Sequence, residues 1–385
     1  MIDPYLRQYA ATDRQREVFD AVVIHTTNRA AADALGVGFG VVAKIMSKIR
    51  KRAARDGRAP GHFDSGTAPG YTMGKVTIQR NGEGAVTQSW ERQAPDDESA
   101  EALLVDALER LADGVRGGAD PIEPPEFDTE TAMTVYPMGD PHCGMRAWAA
   151  ETGADFDLNI FEGRLKGAID RLVAAAPATR DALFINLGDF FHSDSSANTT
   201  TRGTPVDVDG RATKIGNVAL RCMIYAIDKL RAKHERVTVW NKPGNHDANA
   251  WRYLAAALNA YYHADSRVDV PVDPCKFSYM KFGKCLFAST HGDGLKIDNL
   301  SMIMATDRKE DWGSTEHRTW FIGHFHHKQV IKDLTGCTVE IARTLAGTDK
   351  WHHDSGYRSK GDMQAIVFDA EHGEIERHTC GVSML

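Results

Sequence analysis

Five short segments of the 385-residue chain carry side chains that bind metals or move protons. They are Gly139-Asp140-Pro141-His142-Cys143-Gly144, Gly188-Asp189-Phe190-Phe191-His192, Gly244-Asn245-His246-Asp247, His291-Gly292-Asp293-Gly294 and Gly323-His324-Phe325-His326-His327. Neutral imidazole and carboxylate are ligands for Mn, Fe, Zn or Ni, and an Asn oxygen can complete such a set. A single segment of this kind means little, because one buried histidine is more often a hydrogen-bonded core residue than a ligand. Five in order, most flanked by Gly, are hard to obtain by chance. Gly allows the tight turns that aim neighbouring side chains inward. The candidate site residues are therefore Asp140, His142, Asp189, Asn245, His246, His291, His324 and His326.

Such residues need a frame. Strand-like apolar runs occupy 132–137, 182–187, 236–241, 284–289 and 319–322, and helix-like stretches follow most of them. That order predicts layered α/β architecture around a largely buried sheet. Each reactive segment comes directly after a strand. In α/β sheets, ligand sites gather outside the carboxyl ends of strands, so five distant segments are expected on one rim.

The order Asp-x-His, Gly-Asp, Gly-Asn-His-Asp, His, Gly-His-x-His resembles the calcineurin-like metallophosphoesterases, over about residues 130–350. The resemblance implies a two-sheet α/β/β/α sandwich with two divalent metals on one edge, Mn2+ first and Fe, Zn or Ni as alternatives. By position it implies Asp140, His142 and His326 on one metal, and Asn245, His291 and His324 on the other. Asp189 would bridge both, and His246 would stand near the leaving group as a proton donor. Paired cations would offset the charge of a phosphodiester and acidify the attacking water. Many family members carry Gly-Asp-x-x-Asp. Here His192 stands in the place of the second acid, with Asp194 two residues on, and either residue or neither fills its supporting role. The protein-phosphatase branch has Arg after the bridging acid and Glu after Gly-Asn-His. This chain has Phe190 and Asp247 there, which disfavours a phosphoprotein substrate. His327 is expected to point away from the site, and His352 and His353 to lie in a surface loop.

The N-terminal part reads differently. Residues 1–60 hold 11 Lys and Arg against 6 Asp and Glu, whereas residues 96–130 hold 2 Arg against 12 acids. Residues 12–25 predict an amphipathic helix capped by Thr12, and 28–35 a second, capped by Asn28 and stopped by Gly36. A third is expected over 40–55. Ala32, Gly36, Val42 and Ile45 fit a helix-turn-helix: a small residue lets helices approach, Gly turns the chain, and branched residues pack the recognition helix. The third helix is also basic, which makes Lys44, Lys48, Arg50, Lys51, Arg52 and Arg55 candidate DNA contacts. A hairpin over 75–79 and 85–88 follows, turning at Asn81-Gly82-Glu83-Gly84. Together these resemble the winged-helix segment of metallophosphoesterases from bacteriophage genomes. An acidic helix over 96–115 and the stiff, proline-rich 121–128 connect head to body. In the absence of DNA, the acidic segment is a candidate cover for the basic helix.

Composition excludes other classes. No apolar run spans a bilayer, so no membrane partner is expected. The N-terminus lacks a basic stretch followed by an apolar one. Six scattered cysteines without a C-x-x-C pair suit a reducing cytosol, that of a host cell if phage-encoded. The expected organisation is a helix-turn-helix, winged-helix-like DNA-binding domain over 1–92, an acidic linker over 93–130 and the phosphoesterase domain over 131–385. The expected function is dimetal hydrolysis of phosphodiester bonds in DNA. Alternatives are a phosphoesterase for cyclic nucleotides or other small phosphoesters, and a DNA-binding regulator on a non-catalytic scaffold. DNA is the expected partner, and the residues specify no oligomeric state.

Overall fold

Two threonines start the first two helices of the computed structural model. Thr12 Oγ1 accepts from Gln15 N at 3.2 Å to open α1 (Asp13–His25). Thr27 Oγ1 accepts from Ala30 N at 3.1 Å to open α2 (Asn28–Ala34). The second cap is thus Thr27 rather than Asn28, which is already helical. Its hydroxyl sits at the spacing that satisfies an orphan N–H of the first turn. Gly36, at φ +64°, turns the chain toward α3 (Phe39–Arg55). Val18, Phe19, Val22, Ala31, Ala32, Val42, Met46 and Ile49 close a small core among the three helices, with Ile45 packed against it.

After α3 come the short strands β1 (Arg58–Ala59) and β2 (Phe63–Asp64). An antiparallel hairpin of β3 (Tyr71–Arg80) and β4 (Val86–Pro95) follows, with strands longer than the sequence predicts. Asn81 Oδ1 organises its turn by accepting from Glu83 N at 3.1 Å and Ala85 N at 2.9 Å.

The structure describes residues 4–55, 58–59, 63–64, 71–83, 85–95, 115–326, 331–356 and 360–385. These fall in two units, Met1–Glu109 and Arg110–Leu385. The expected acidic helix, but for Val115, lies outside the described residues, as does His327.

In the second unit, alternating apolar residues build two sheets. The first runs in the order β15 (Gly373–Gly381), β14 (Asp362–Asp369), β5 (Thr129–Met138), β6 (Thr179–Asn186), β7 (Arg236–Asn241), β8 (Val268–Asp269). Within it, β5 through β8 are parallel and β14 pairs antiparallel with both neighbours. The second runs β12 (Ile331–Leu334), β13 (Cys337–Ile341), β11 (His317–Ile322), β10 (Cys285–Thr290), β9 (Ser278–Phe282), parallel through β13, β11 and β10.

One side of each strand faces the other sheet. Val135, Leu183, Ile185, Trp240, Phe287, Phe321, Ile366 and Phe368 form this inner layer. The opposite parity faces helices. Tyr136, Phe184 and Val239 pack with Phe161 and Leu165 of α4 (Leu158–Ala175) and Met223 and Ile227 of α5 (Ala212–Lys233). Leu286, Trp320 and Ile322 pack with Leu300 and Met304 of α7 (Leu300–Asp307). Between them in sequence, α6 (Ala250–Tyr261) adds Leu254 and Leu258 to the first helical layer. Each fully buried Leu, Ile or Phe contributes about 1.5–3 kcal/mol. The result is the α/β/β/α sandwich.

All six cysteines are free, five of them buried. Among the described residues no helix is long and apolar enough to cross a membrane. The expected loop around His352 is instead a short helix, Lys350–Asp354. A Lys350–Asp354 ion pair of 2.8 Å at i,i+4 spacing supports it.

Candidate metal centre

The reactive segments all leave the carboxyl ends of β5, β6, β7, β10 and β11, and backbone hydrogen bonds lace them together. His142 N donates to Asp189 O at 3.1 Å, Cys143 N to Phe190 O at 2.6 Å, and Gly323 N to His291 O at 2.9 Å. The strands are parallel and in close register, so their ends, and these loops, meet on one rim. Among the described residues seven non-glycines have positive φ, and five of them are candidate ligands: Asp140, His142, Asp189, His324 and His326. Two glycines are required by contact. A Cβ on Gly244 would collide with the Asp189 carboxylate, and one on Gly323 with that of Asp140.

The side chains converge in two groups that share Asp189. In the first, Nε2 of His142 and of His326 approach to 3.0 Å, and Asp140 Oδ2 lies 3.0 Å from His326 Nε2. In the second, His291 Nε2 lies 3.1 Å from Asn245 Oδ1 and 3.2 Å from Asp189 Oδ2. His324 completes that group, its ring centre 5.0 Å from that of His291. Asp140, His142, Asp189 and His291 are buried. Among the described residues, no well-directed hydrogen bond reaches either oxygen of Asp140. A buried carboxylate without such partners is costly unless a cation faces it.

Electrostatics point the same way. Burial opposes a charge on His291, yet Asp189 and Asp140 overcome it and raise its pKa to about 10. Burial also opposes the charge on Asp189, but His291 and His246 hold its pKa at about 2. Two buried carboxylates thus face one imidazole, an excess of negative charge that a divalent cation would offset. The donors of the site are imidazole nitrogens, carboxylates and one amide oxygen with no thiolate. That set fits divalent Mn, Fe, Zn or Ni.

Orientation comes from the next layer. His291 Nδ1 donates to Leu187 O at 3.0 Å, which leaves Nε2 as the ligating atom. His142 Nδ1 faces His192 Nδ1 at 3.2 Å. With His142 Nε2 turned to the first group, a proton on its Nδ1 would be accepted by His192. Burial, then His246, pushes the His192 pKa down to about 3, which keeps the ring neutral for that task. His246 donates its backbone N–H to Asp189 Oδ1 at 2.6 Å. Its Nδ1 donates to His192 O at 2.9 Å, and its ring stacks on His192 at 5.3 Å between centres.

Sequence reasoning left two residues without an assigned role. Asp194 accepts from Asn249 N and Ala250 N at 2.9 and 2.8 Å, so it caps α6 from outside that helix. Asp247 is wholly buried and accepts from Phe191 N at 3.1 Å and Gly244 N at 2.9 Å. It joins the Gly-Asp and Gly-Asn-His loops, and burial next to the Asp189 charge raises its pKa to about 7. Its position right after Gly-Asn-His was the available signal.

The candidate DNA contacts belong to the first unit. Lys44, Lys48, Arg50 and Lys51 are exposed on α3, and Arg55 is its last residue. Arg52 differs: it is half-buried, and its Nη1 donates to Gln15 Oε1 at 2.7 Å and Tyr9 O at 3.1 Å. Those bonds brace α3 against the first turn of α1 and the segment before it.

No protein-family model and no curated protein matches the chain. Among solved structures, it is similar to a single mutant of Vps29 from Entamoeba histolytica, at 12% identity over 65% of this chain and 99% of that one, TM-score 0.28. A predicted phosphoesterase from Streptococcus pneumoniae is similar at 10% identity over 66% and 99%, TM-score 0.25. A 5'-nucleotidase from Candida albicans is similar at 11% identity over 67% and 54%, TM-score 0.33. With scores this low, the reading of function rests on the side chains of the site.

Proposed function

We propose that the chain is a dimetal phosphoesterase that cleaves phosphodiester bonds, with DNA as its substrate. One observation carries the reading: seven nitrogen- and oxygen-bearing side chains from five strand ends meet in two groups that share Asp189. Asp140, His142 and His326 would hold one divalent ion and Asn245, His291 and His324 the other, with Asp189 between them. Bound there, the ions would offset phosphate charge and lower the pKa of water.

The chain's own residues do the rest. Asp189 is fixed by the His246 backbone N–H, so its carboxylate cannot swing away from the shared position. His192 holds the His142 ring in place. His246 keeps its Nδ1 proton on His192 O, which leaves Nε2 as the atom that can carry a proton to a departing alkoxide. His246 lines an open cleft of about 560 Å³ along with Asn245, His324 and His326. The basic, exposed side of α3 supports DNA as the substrate, because a tethered binding module raises the local concentration of target at the site.

The test is manganese-dependent turnover measured side by side on linear DNA, a cyclic dinucleotide and a phosphomonoester. DNA is expected to be cleaved fastest. Preference for the cyclic dinucleotide or the monoester would move the assignment to small phosphoesters. No turnover of any substrate, with metal bound, would leave a binding protein on a phosphoesterase scaffold.

A further inference from the structure

The cleft beside the metal centre has basic side chains on its wall as well as ligands. Arg146, Arg202 and Lys350 line it, together with the carboxylates Asp207 and Asp349. Arg146 is 3.3 Å from Asp209, and Lys350 pairs with Asp354. Among the described residues, Arg202 is the lining cation with neither an ion pair nor a hydrogen bond of its own.

Its placement is not that of a loose surface arginine. Arg202 occupies the tip of a tight hairpin in which Thr200 N donates to Thr204 O and Gly203 N to Thr200 O, both at 2.9 Å. Gly203 closes the turn at φ +85°. Thr201 then pins the tip to the catalytic rim. Its Oγ1 donates to Asp194 Oδ2 at 2.7 Å and accepts from Ala248 N at 3.1 Å. Asp194 in turn caps α6, directly after the loop that carries Asn245 and His246. The backbone that carries Arg202 is therefore anchored to the same loop as the metal ligands, while its side chain is exposed at the cleft and, among the described residues, without an ion pair.

We propose that Arg202 binds a second phosphate of the substrate, next to the one that is cleaved. This rests on the phosphoesterase reading and narrows its substrate class to chains with at least two phosphates, such as an oligonucleotide. The scissile phosphate belongs to the ions, and the Arg202 guanidinium on the cleft wall is left for a neighbouring one. Arg suits that role because its planar fork grips phosphate oxygens in pairs.

The experiment compares TpT, which has one phosphate, with TpTpT, which has two. Having two cleavable bonds gives TpTpT a statistical advantage of about twofold. Wild-type protein is expected to favour TpTpT in kcat/KM by a further factor of about ten, the size of one charge-assisted anchor. Arg202→Ala should bring the ratio back to the statistical value, and Arg202→Lys should restore part of it. A wild-type ratio at the statistical value, or an Arg202→Ala ratio equal to wild type, overturns the proposal. If neither compound is hydrolysed, the reading as an enzyme that cleaves oligonucleotide phosphodiesters fails, and fluorescence anisotropy of labelled TpTpT with Ca2+ decides the anchor alone. Weakening by about tenfold in Arg202→Ala retains it; equal binding removes it.

Discussion

At the scale of single residues, the site is made by ligands in uncommon backbone conformations. Asp140, His142, Asp189, His324 and His326 all adopt positive φ, at a cost of about 1–3 kcal/mol each that the surrounding sheets sustain. The residue types were legible in the sequence; this strain was not, because the sequence reading gave the sharp turns to glycine. Glycine matters at Gly244 for another reason: Asp189 packs where its Cβ would be. Gly244→Ala is expected to weaken Mn2+ binding by at least about tenfold, as changes around metal ligands do, in isothermal titration calorimetry. Gly216→Ala, in open space on α5, should leave metal binding intact and raise stability by about 0.5–1 kcal/mol. Asp189→Asn should lose metal and turnover together. His246→Ala should keep its metal, seen by the same titration, while kcat falls by about 10²–10⁴-fold. Retained kcat in His246→Ala would remove the proton-transfer role of Nε2.

At the scale of elements, the strands were legible as short apolar runs, as in Leu183, Phe184 and Ile185, whereas which residue faces the helices and which the other sheet was not. What escaped were contacts between segments far apart in sequence. Nothing in the run Asp194 to Gly203 announces a hairpin stapled to α6. Another such contact joins β5, β6 and the end of α5. Buried His234 lies 3.0 Å from the Tyr136 hydroxyl through Nε2 and donates Nδ1–H to Thr179 O at 2.9 Å. Burial lowers its pKa from 6.5 to about 4. Between those values the unfolded chain binds the proton and the folded one does not, so stability is full above about pH 6.5 and declines as pH falls toward 4. The loss approaches on the order of 3 kcal/mol. His234→Gln should flatten this part of the stability curve, measured by urea unfolding at pH 7 and pH 4.5. An unchanged slope would show that other groups set the acid sensitivity.

At the scale of the whole molecule, charge is distributed unevenly along one chain. The net charge of −7 conceals a basic head, an acidic connector and a nearly neutral body. That division is visible in the sequence because charge is additive along a chain. Which basic residues stay available is not, because it depends on packing: Arg52 is engaged by Gln15 and Tyr9, whereas Lys44, Lys48 and Lys51 are exposed. The three lysines recur at spacings of four and three, which places them along one side of a helix. A phosphate-contacting row there releases counterions on binding, and each lost contact lowers the salt dependence by nearly one unit of slope. The full-length triple variant Lys44→Gln, Lys48→Gln, Lys51→Gln is therefore expected to bind duplex DNA more weakly. The slope of log Kobs against log salt should shrink by roughly 3. In the same preparation, DNA cleavage should fall relative to hydrolysis of bis-p-nitrophenyl phosphate, because the small ester has no use for a remote anchor. An Arg52→Gln variant should instead lower the melting temperature of the head through its lost bonds to Gln15 and Tyr9, with a smaller change in salt slope than the triple variant. If the triple variant keeps its slope, α3 does not contact the backbone, and the body must find its substrate without the head.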